Sequence, residues 1–189
     1  RKTVQTLQAC RDWTSTGIAE ALCRINQELY QAVADDEKLR GMGSTVSGIC
    51  HGPDGYVAFN VGDSRIYRQQ DQFLSQISKD DTAEQILIDA GKSDPGGIRG
   101  KGLNQLTQAL GGGGEYRDIE PHIFPITIKR QSRLLLCSDG LTDMVDLDAL
   151  ESIMSKENDN KIAINHLFDA AMQKGGQDNI SIIILELCA

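Results

Sequence analysis

The fold is decided by the stretch Arg133-Leu-Leu-Leu-Cys-Ser-Asp139-Gly140. Three consecutive leucines and a cysteine predict a β-strand that is buried on both faces. The strand ends at an aspartate followed by a glycine, whose backbone is unrestricted. A carboxylate at the end of a buried strand is unfavourable unless it is paired, hydrogen-bonded or bound to a metal. Asp139 is therefore a candidate ligand of a hard cation such as Mg²⁺ or Mn²⁺.

A second aspartate, Asp178, directly precedes another apolar strand near the end of the chain. If the two apolar strands are antiparallel neighbours, the end of one meets the start of the other. The carboxylates of Asp139 and Asp178 would then converge. This geometry is only moderately specific, because many sheets place acids at strand ends without binding a metal.

A third aspartate, Asp80, precedes a predicted short helix over residues 82–90. Acids at a helix N-terminus are favoured by the exposed amides and by the helix dipole, so Asp80, Asp81 or Thr82 can cap this helix. The same carboxylate could instead bind a cation. Residue type alone leaves both explanations of Asp80 open.

The composition predicts one soluble globular domain over residues 1–189, with 40% hydrophobic and 24% charged residues. A net charge of -8 argues against nucleic acid or an anionic membrane as the main partner. No apolar run approaches the length of a membrane span, and no signal peptide is expected. Five scattered cysteines predict reduced thiols and a cytoplasmic protein, not a disulfide framework or a zinc site.

The first part of the chain, to about residue 37, is predicted to be helical, because its apolar residues fall on one helical stripe. Four short strands follow, at about residues 44–51, 56–61, 64–68 and 72–77. Strands joined by short turns predict an antiparallel meander, since parallel strands need long crossovers. This pattern argues against a doubly wound nucleotide-binding sheet.

Glycine and proline shape the prediction for the second half of the chain. The glycine-rich stretch 91–104 is predicted to be a mobile surface flap, and the four glycines 111–114 a second flexible loop. Prolines in residues 119–128 predict an edge or irregular strand. His122 lies in that strand and is interpreted as a surface or packing residue. Helices are predicted near residues 147–154 and 161–174.

Six short motifs occur in one order along the chain. They are Gly43-Ser44-Thr45, Asn60-Val-Gly-Asp63-Ser64-Arg65-Ile-Tyr67-Arg68, Lys79-Asp80-Asp81-Thr82, Leu106-Thr107-Gln-Ala-Leu110-Gly111, Leu135-Leu-Cys-Ser-Asp139-Gly-Leu-Thr-Asp143 and Gly175-Gly-Gln-Asp178-Asn179-Ile180. This set resembles the metal-dependent protein phosphatases, the type 2C Ser/Thr phosphatases, and in particular their bacterial branch. The resemblance runs from the first helices to the last strand.

The resemblance implies an α+β fold, a four-layer α/β/β/α sandwich of two antiparallel sheets flanked by helices. It implies a centre of two Mg²⁺ or Mn²⁺ ions, and allows a third, that activates water to dephosphorylate phosphoserine and phosphothreonine proteins. Asp139 and Asp178 correspond to ligands of one core ion, and Asp80 to a ligand of a third, weaker ion that shares Asp139. Asp63 belongs to a structural turn. A Ser/Thr protein kinase is implied as the opposing enzyme.

The sequence also departs from the family pattern. Family members open with strands that carry a Glu-Asp pair, a phosphate-binding arginine and an Asp-Gly-x-Gly-Gly segment, and none of these occurs in the 189 residues. We therefore expect a phosphatase fragment without its N-terminal strands, inactive by itself. A pseudophosphatase or regulatory protein-binding module is the alternative, and a structural domain whose acids only cap and turn is a third. Retention of all three aspartates favours the enzyme.

Overall fold

We describe the protein from a computed structural model, which covers residues 5–7, 10, 12–92, 103–128 and 131–188. The chain forms two compact units. The first consists of Arg1–Asp63 and Lys79–Ile126, and the second of Ser64–Ser78 and Thr127–Ala189. The prediction of a single domain over residues 1–189 stays a prediction.

The first unit contains a three-stranded antiparallel sheet in the order β2-β3-β7 and a two-stranded antiparallel ribbon of β1 and β6. Its strands are β1 (Gly43–Ser44), β2 (Val46–Gly52), β3 (Gly55–Val61), β6 (Leu110–Gly111) and β7 (His122–Ile126). Its helices are α1 (Ser15–Asp35), a 3₁₀ turn (Glu37–Leu39) and α2 (Ala83–Asp89).

Helix α1 packs on the first sheet through the predicted apolar stripe. Ile18, Leu22 and Ile25 are buried in one cluster with Phe59 and Val61 of β3. The Oγ1 atom of Thr14 accepts a hydrogen bond from the Gly17 amide (3.2 Å), which caps the start of the helix. The helix therefore forms where periodicity and capping agree.

The predicted meander is wrong at one connection. Strand β3 and the strand that follows it belong to different sheets. Gly62 and Asp63 therefore connect two sheets and do not form the turn of a hairpin. The reason is that β3 already pairs with β2 on one side and with β7 on the other, which leaves no free edge. Gly62 has φ of 102°, and a Cβ there would lie 2.7 Å from Thr45 Cβ, so this connection requires glycine.

The second unit contains one four-stranded antiparallel sheet in the order β5-β4-β8-β9. Its strands are β4 (Arg65–Gln70), β5 (Phe73–Gln76), β8 (Gln131–Cys137) and β9 (Ile182–Cys188). Its helices are α3 (Asp139–Thr142), α4 (Leu147–Lys156) and α5 (Asn160–Gln173).

Strand β8 is the central strand that the leucine run predicts. Leu134, Leu135 and Leu136 are all buried, so both faces of the strand are covered. On one face, Leu135 packs in a cluster with residues of α4 and α5, including Leu150 and Leu167. Burial of several such side chains, at roughly 1.5–3 kcal/mol each, stabilises this unit.

Arg133 joins β8 to the ends of two helices. Its Nη1 atom donates to the carbonyl oxygens of Met154 (2.8 Å) and Glu157 (2.6 Å), at the C-terminal end of α4. Its Nε atom donates to Asn160 Oδ1 at the start of α5 (2.8 Å). The last carbonyls of a helix have no partner within the helix, and a cation there also interacts favourably with the helix dipole.

Replacing Arg133 by methionine should lower the free energy of unfolding by about 2–3 kcal/mol, because hydrogen bonds to charged groups contribute about 1.5–3 kcal/mol and two carbonyls lose their donor. Urea denaturation measures this loss. Arg117→Met is the matched control, since this side chain is exposed and its loss should stay within about 0.5 kcal/mol. Equal losses in the two variants would contradict the role of Arg133.

The α+β class, with antiparallel sheets flanked by helices, is confirmed, and β7 is an edge strand that contains Pro125. Gly111 lies in a short strand, so the predicted loop 111–114 is shorter. Residues 93–102 of the predicted flap lie outside the described residues. Among the described residues, Cys10, Cys23, Cys50 and Cys137 form no disulfide bond. No helix among the described residues could cross a membrane.

Candidate metal centre

Asp139 begins the short helix α3, and only Ser138 separates it from Cys137, the last residue of β8. Its Oδ1 atom accepts a hydrogen bond from the amide of Gly140 (2.8 Å), and its carbonyl oxygen accepts one from the amide of Asp143 (2.8 Å). The side chain is half-buried. The helical turn therefore fixes the carboxylate directly at the end of the buried strand.

The loop before β9 lies against this strand end. Cys137 and Ile182 are paired in antiparallel register, and the Ser138 amide donates to the Ser181 carbonyl oxygen (3.1 Å). The Ser138 Oγ atom donates to the Asn179 carbonyl oxygen (3.1 Å) and accepts from the Ser181 amide (2.9 Å). The structure thus holds the segments that carry Asp139 and Asp178 side by side.

Gly140 permits this close approach. A Cβ atom at this position would lie 2.9 Å from the carbonyl carbon of Asn179 and closer still to its oxygen. Both atoms are backbone atoms, which cannot move aside by a rotamer change. Position 140 therefore requires glycine, because the neighbouring loop occupies the space that a side chain would fill.

The environment of Asp139 disfavours its negative charge. Burial raises the pKa of the Asp139 carboxyl, the Gly140 amide partly opposes this, and the charges of Asp178 and Asp143 raise the pKa further. Among the described residues, neither Asp139 nor Asp178 forms an ion pair with lysine or arginine. Two carboxylates that repel one another at a strand end have the charge and the oxygen donors that suit Mg²⁺ or Mn²⁺.

These two aspartates do not complete a coordination shell. In the part of the chain that the structure describes, no group of three His, Cys, Asp or Glu side chains could hold a metal ion. Asp178 itself is exposed, and its Oδ1 accepts from the Asn179 amide (2.6 Å). The pair therefore fits a hard cation whose other positions are filled by water or by further ligands.

Asp80 lies in the first unit and is 5% exposed. Thr82, one of the three predicted caps, is the N-cap of helix α2, and its Oγ1 accepts the hydrogen bond from the Gln85 amide (3.2 Å). The two neighbours of Asp80 in the chain are held by hydrogen bonds, from Asn60 Nδ2 to the Lys79 carbonyl oxygen (2.7 Å) and from the Asp81 amide to the Gly62 carbonyl oxygen (3.0 Å).

Comparison with known proteins identifies the family. Residues 2–168 match the family model described as protein phosphatase 2C. The chain belongs to the protein phosphatase 2C family. The serine/threonine phosphatase Stp of Listeria monocytogenes is 30% identical over 172 residues, which cover 90% of this chain and 67% of Stp. The serine/threonine protein phosphatase PstP of Mycobacterium tuberculosis is 32% identical over 164 residues, which cover 86% of this chain and 31% of PstP.

Solved structures of phosphatase 2C relatives agree with this assignment. The PPM Ser-Thr phosphatase MsPP from Mycobacterium smegmatis, in complex with cacodylate, matches with a TM-score of 0.81 at 26% identity, over 96% of this chain and 78% of MsPP. The catalytic domain of PstP in complex with two manganese ions matches with a TM-score of 0.80 at 26% identity, over 97% and 77%. The predicted family and its protein Ser/Thr phosphatase activity class are confirmed.

Two features of this phosphatase 2C domain were not predicted from the sequence. Asp143 adds a like charge near Asp139, and the spacing of four residues on a short helix is the signal that could have indicated it. His122 was predicted only as a surface or packing residue, and its pairing with Asp81, Nε2 to Oδ1 at 2.8 Å, was not predicted. The register that pairs His122 with Asn60 is not visible in the local sequence.

Proposed function

We propose that the protein hydrolyses phosphoserine and phosphothreonine esters of other proteins, and that Asp139 and Asp178 bind a divalent cation, Mg²⁺ or Mn²⁺, that this reaction needs. The observation that carries the proposal is that hydrogen bonds hold the segments bearing Asp139 and Asp178 side by side, and burial and the charges of Asp178 and Asp143 raise the pKa of Asp139. The complex of the PstP catalytic domain with two manganese ions supports it from a relative.

The cation would lower the pKa of a coordinated water and neutralise charge on the phosphoryl oxygens. The chain's own contribution is positional. Helix α3 fixes the Asp139 carboxylate, and the Ser138 hydroxyl holds the loop of Asp178 against it. Ionised carboxylates at these positions supply the negative charge that attracts the ion. Asp80 is proposed as a ligand of a further, weaker ion, on the strength of its burial and its motif.

Two carboxylates leave most of the coordination of a divalent ion to water or to other groups. We therefore propose that full activity needs ligands in addition to Asp139, Asp178 and Asp80, and that a polypeptide limited to residues 1–189 is a poor catalyst. The partners proposed are phosphorylated proteins in the cytoplasm, with a Ser/Thr protein kinase as the opposing enzyme.

A second candidate function has one observation in its favour. Because no three metal-binding side chains cluster among the described residues, the domain could bind phosphorylated partners without hydrolysing them. Such a module would bind a phosphothreonine peptide equally well with and without divalent cations, and would release no phosphate.

The experiment is a phosphothreonine-peptide assay of the full-length protein in oxygen-18-labelled water, with added MnCl₂ or with EDTA. We expect inorganic phosphate that carries a single labelled oxygen, because water attacks phosphorus directly, and at least a hundredfold loss of rate with EDTA, since a bound metal contributes several kcal/mol to transition-state stabilisation. Replenishing Mn²⁺ should restore the rate. Peptide binding without hydrolysis, or turnover insensitive to EDTA, would contradict the proposal.

A further inference from the structure

Asp81, the residue that follows Asp80, uses its carboxylate to hold this segment in place. Asp81 is 8% exposed, and its two oxygens are used in different directions. The Oδ2 atom accepts a hydrogen bond from the Gly62 amide (2.7 Å), and the Oδ1 atom lies 2.8 Å from His122 Nε2. An ionised carboxylate is only an acceptor, so Nε2 is the donor in this pair.

His122 occupies a defined position in the first sheet. It lies at the start of the edge strand β7, in register with Asn60 of β3, which is fully buried. Asn60 Nδ2 donates to the carbonyl oxygens of Lys79 (2.7 Å) and Gly62 (3.3 Å). Asn60 of β3 therefore bonds to Lys79, the residue before Asp80. His122 of the neighbouring strand bonds to Asp81, the residue after it.

The backbone of Asp81 is restrained as well. Its amide donates to the Gly62 carbonyl oxygen (3.0 Å), and its carbonyl oxygen accepts from the Thr107 amide (2.8 Å). With both neighbours fixed, the peptide groups on either side of Asp80 have little freedom to rotate. The hydrogen bond from the half-buried His122 ring restricts the rotamer of the Asp81 side chain.

We propose that His122 is a positioning residue for the metal site of Asp80: it holds Asp81, and Asp81 sets the backbone that aims the Asp80 carboxylate. This rests on the proposed function, in which Asp80 is a ligand. Partners that orient metal ligands typically affect metal affinity by about 10–100-fold. A residue that only packed the edge strand would affect stability and leave cation affinity unchanged.

The test is calorimetric titration of Mn²⁺ into the protein, with no substrate present. The binding event that Asp80→Asn removes defines the Asp80 site. His122→Leu should raise the Kd of that event about tenfold or more, and leave the Asp80-independent binding unchanged. His122→Gln, whose amide can still donate to Asp81, should restore the Kd to within about threefold of the native value. Adding His122→Leu to Asp80→Asn should change Mn²⁺ binding no further.

Ile126→Val is the matched structural control, because Ile126 is a buried residue of the same strand that makes no hydrogen bond to Asp81 through its side chain. It should lower thermal stability and leave both Mn²⁺ binding events at native affinity. If His122→Leu leaves the Asp80-dependent Kd unchanged, the positioning role is overturned while the proposed function stands. If Asp80→Asn removes no binding event, the ligand role of Asp80 is wrong and the positioning role falls with it.

Discussion

In the full-length protein, Asp139→Asn should strongly reduce cation-dependent phosphatase activity and leave the fold intact. The substitution keeps the shape of the side chain and removes the charge that the cation needs. Because a bound metal contributes several kcal/mol to transition-state stabilisation, we expect a loss of roughly a hundred- to a thousandfold in kcat/KM. The measurement is hydrolysis of a phosphothreonine peptide over a range of Mn²⁺ concentrations, together with circular dichroism of the variant.

The same variant should be at least as stable as the native protein when both are metal-free. Burial and like charges raise the pKa of Asp139 above its ordinary value, so the folded state disfavours the ionised carboxylate. The stability that protonation of this group gives is present at low pH and is lost as the pH rises through the raised pKa. The Tm advantage of Asp139→Asn should therefore be larger at about pH 7 than at about pH 4.

Asp148→Asn is the control for both measurements. Asp148 is an exposed acid in the first turn of α4, so its replacement removes one charge from the same unit without touching the strand end. It should retain activity. Its free energy of unfolding should fall by about 0.3–1 kcal/mol at most, because the favourable interaction of the acid with the helix dipole is lost. A native kcat/KM in Asp139→Asn would show that Asp139 is not a ligand.

Gly140→Ala should damage both the fold and the site. The added Cβ meets the backbone of Asn179, so the loop before β9 must move away from α3. Overpacking of this kind lowers the free energy of unfolding by about 1–3 kcal/mol. We expect a loss near the upper end of this range, because the clashing atoms belong to the backbone and cannot move aside by a rotamer change. Displacement of a positioned group by about 1 Å can reduce the rate about a hundredfold, so activity should fall by a comparable factor. Urea denaturation and peptide hydrolysis measure the two effects.

Gly114→Ala provides the matched control. Apart from Gly114 itself and its two chain neighbours, no atom of the described residues lies within 4 Å of the Cβ that it would introduce. Removing a glycine at a tolerant position stabilises by about 0.4–1 kcal/mol through the unfolded state, so this variant should be neutral or slightly stabilised and fully active. If Gly140→Ala is as stable and as active as Gly114→Ala, the close approach of α3 to the loop before β9 does not depend on glycine at position 140.

The parts of the fold that the sequence predicted are those that local physics determines. The unbroken apolar run before Cys137 has no stable position except a central strand, and the stripe through Ile18 and Leu22 has none except a helix packed on a sheet. The meeting of Asp139 with the loop of Asp178 followed from strand direction alone, once the two apolar strands were taken as antiparallel neighbours.

The errors arose where a distant partner decides the outcome. The connection at Gly62 resembles a hairpin turn, but the free edge of β3 is taken by β7, which lies about sixty residues later in the chain. His122 received no role because Asp81, its partner, is 41 positions away. Asp80 and Thr82 were equally suitable caps by residue type, and only the backbone geometry selects Thr82. Propensity cannot resolve choices that tertiary pairing makes.

Binding of a cation by Asp139 can be observed most directly by carbon-13 NMR of its carboxyl carbon. The carboxyl should be titrated in the metal-free protein and again with Mg²⁺, which is diamagnetic. Without metal, the pKa should lie above the ordinary value for aspartate, and Asp178→Asn should lower it towards that value. With Mg²⁺, the carboxyl should stay ionised to a lower pH, because the cation stabilises the charged form. An identical titration curve with and without Mg²⁺ would contradict the assignment of Asp139 as a metal ligand.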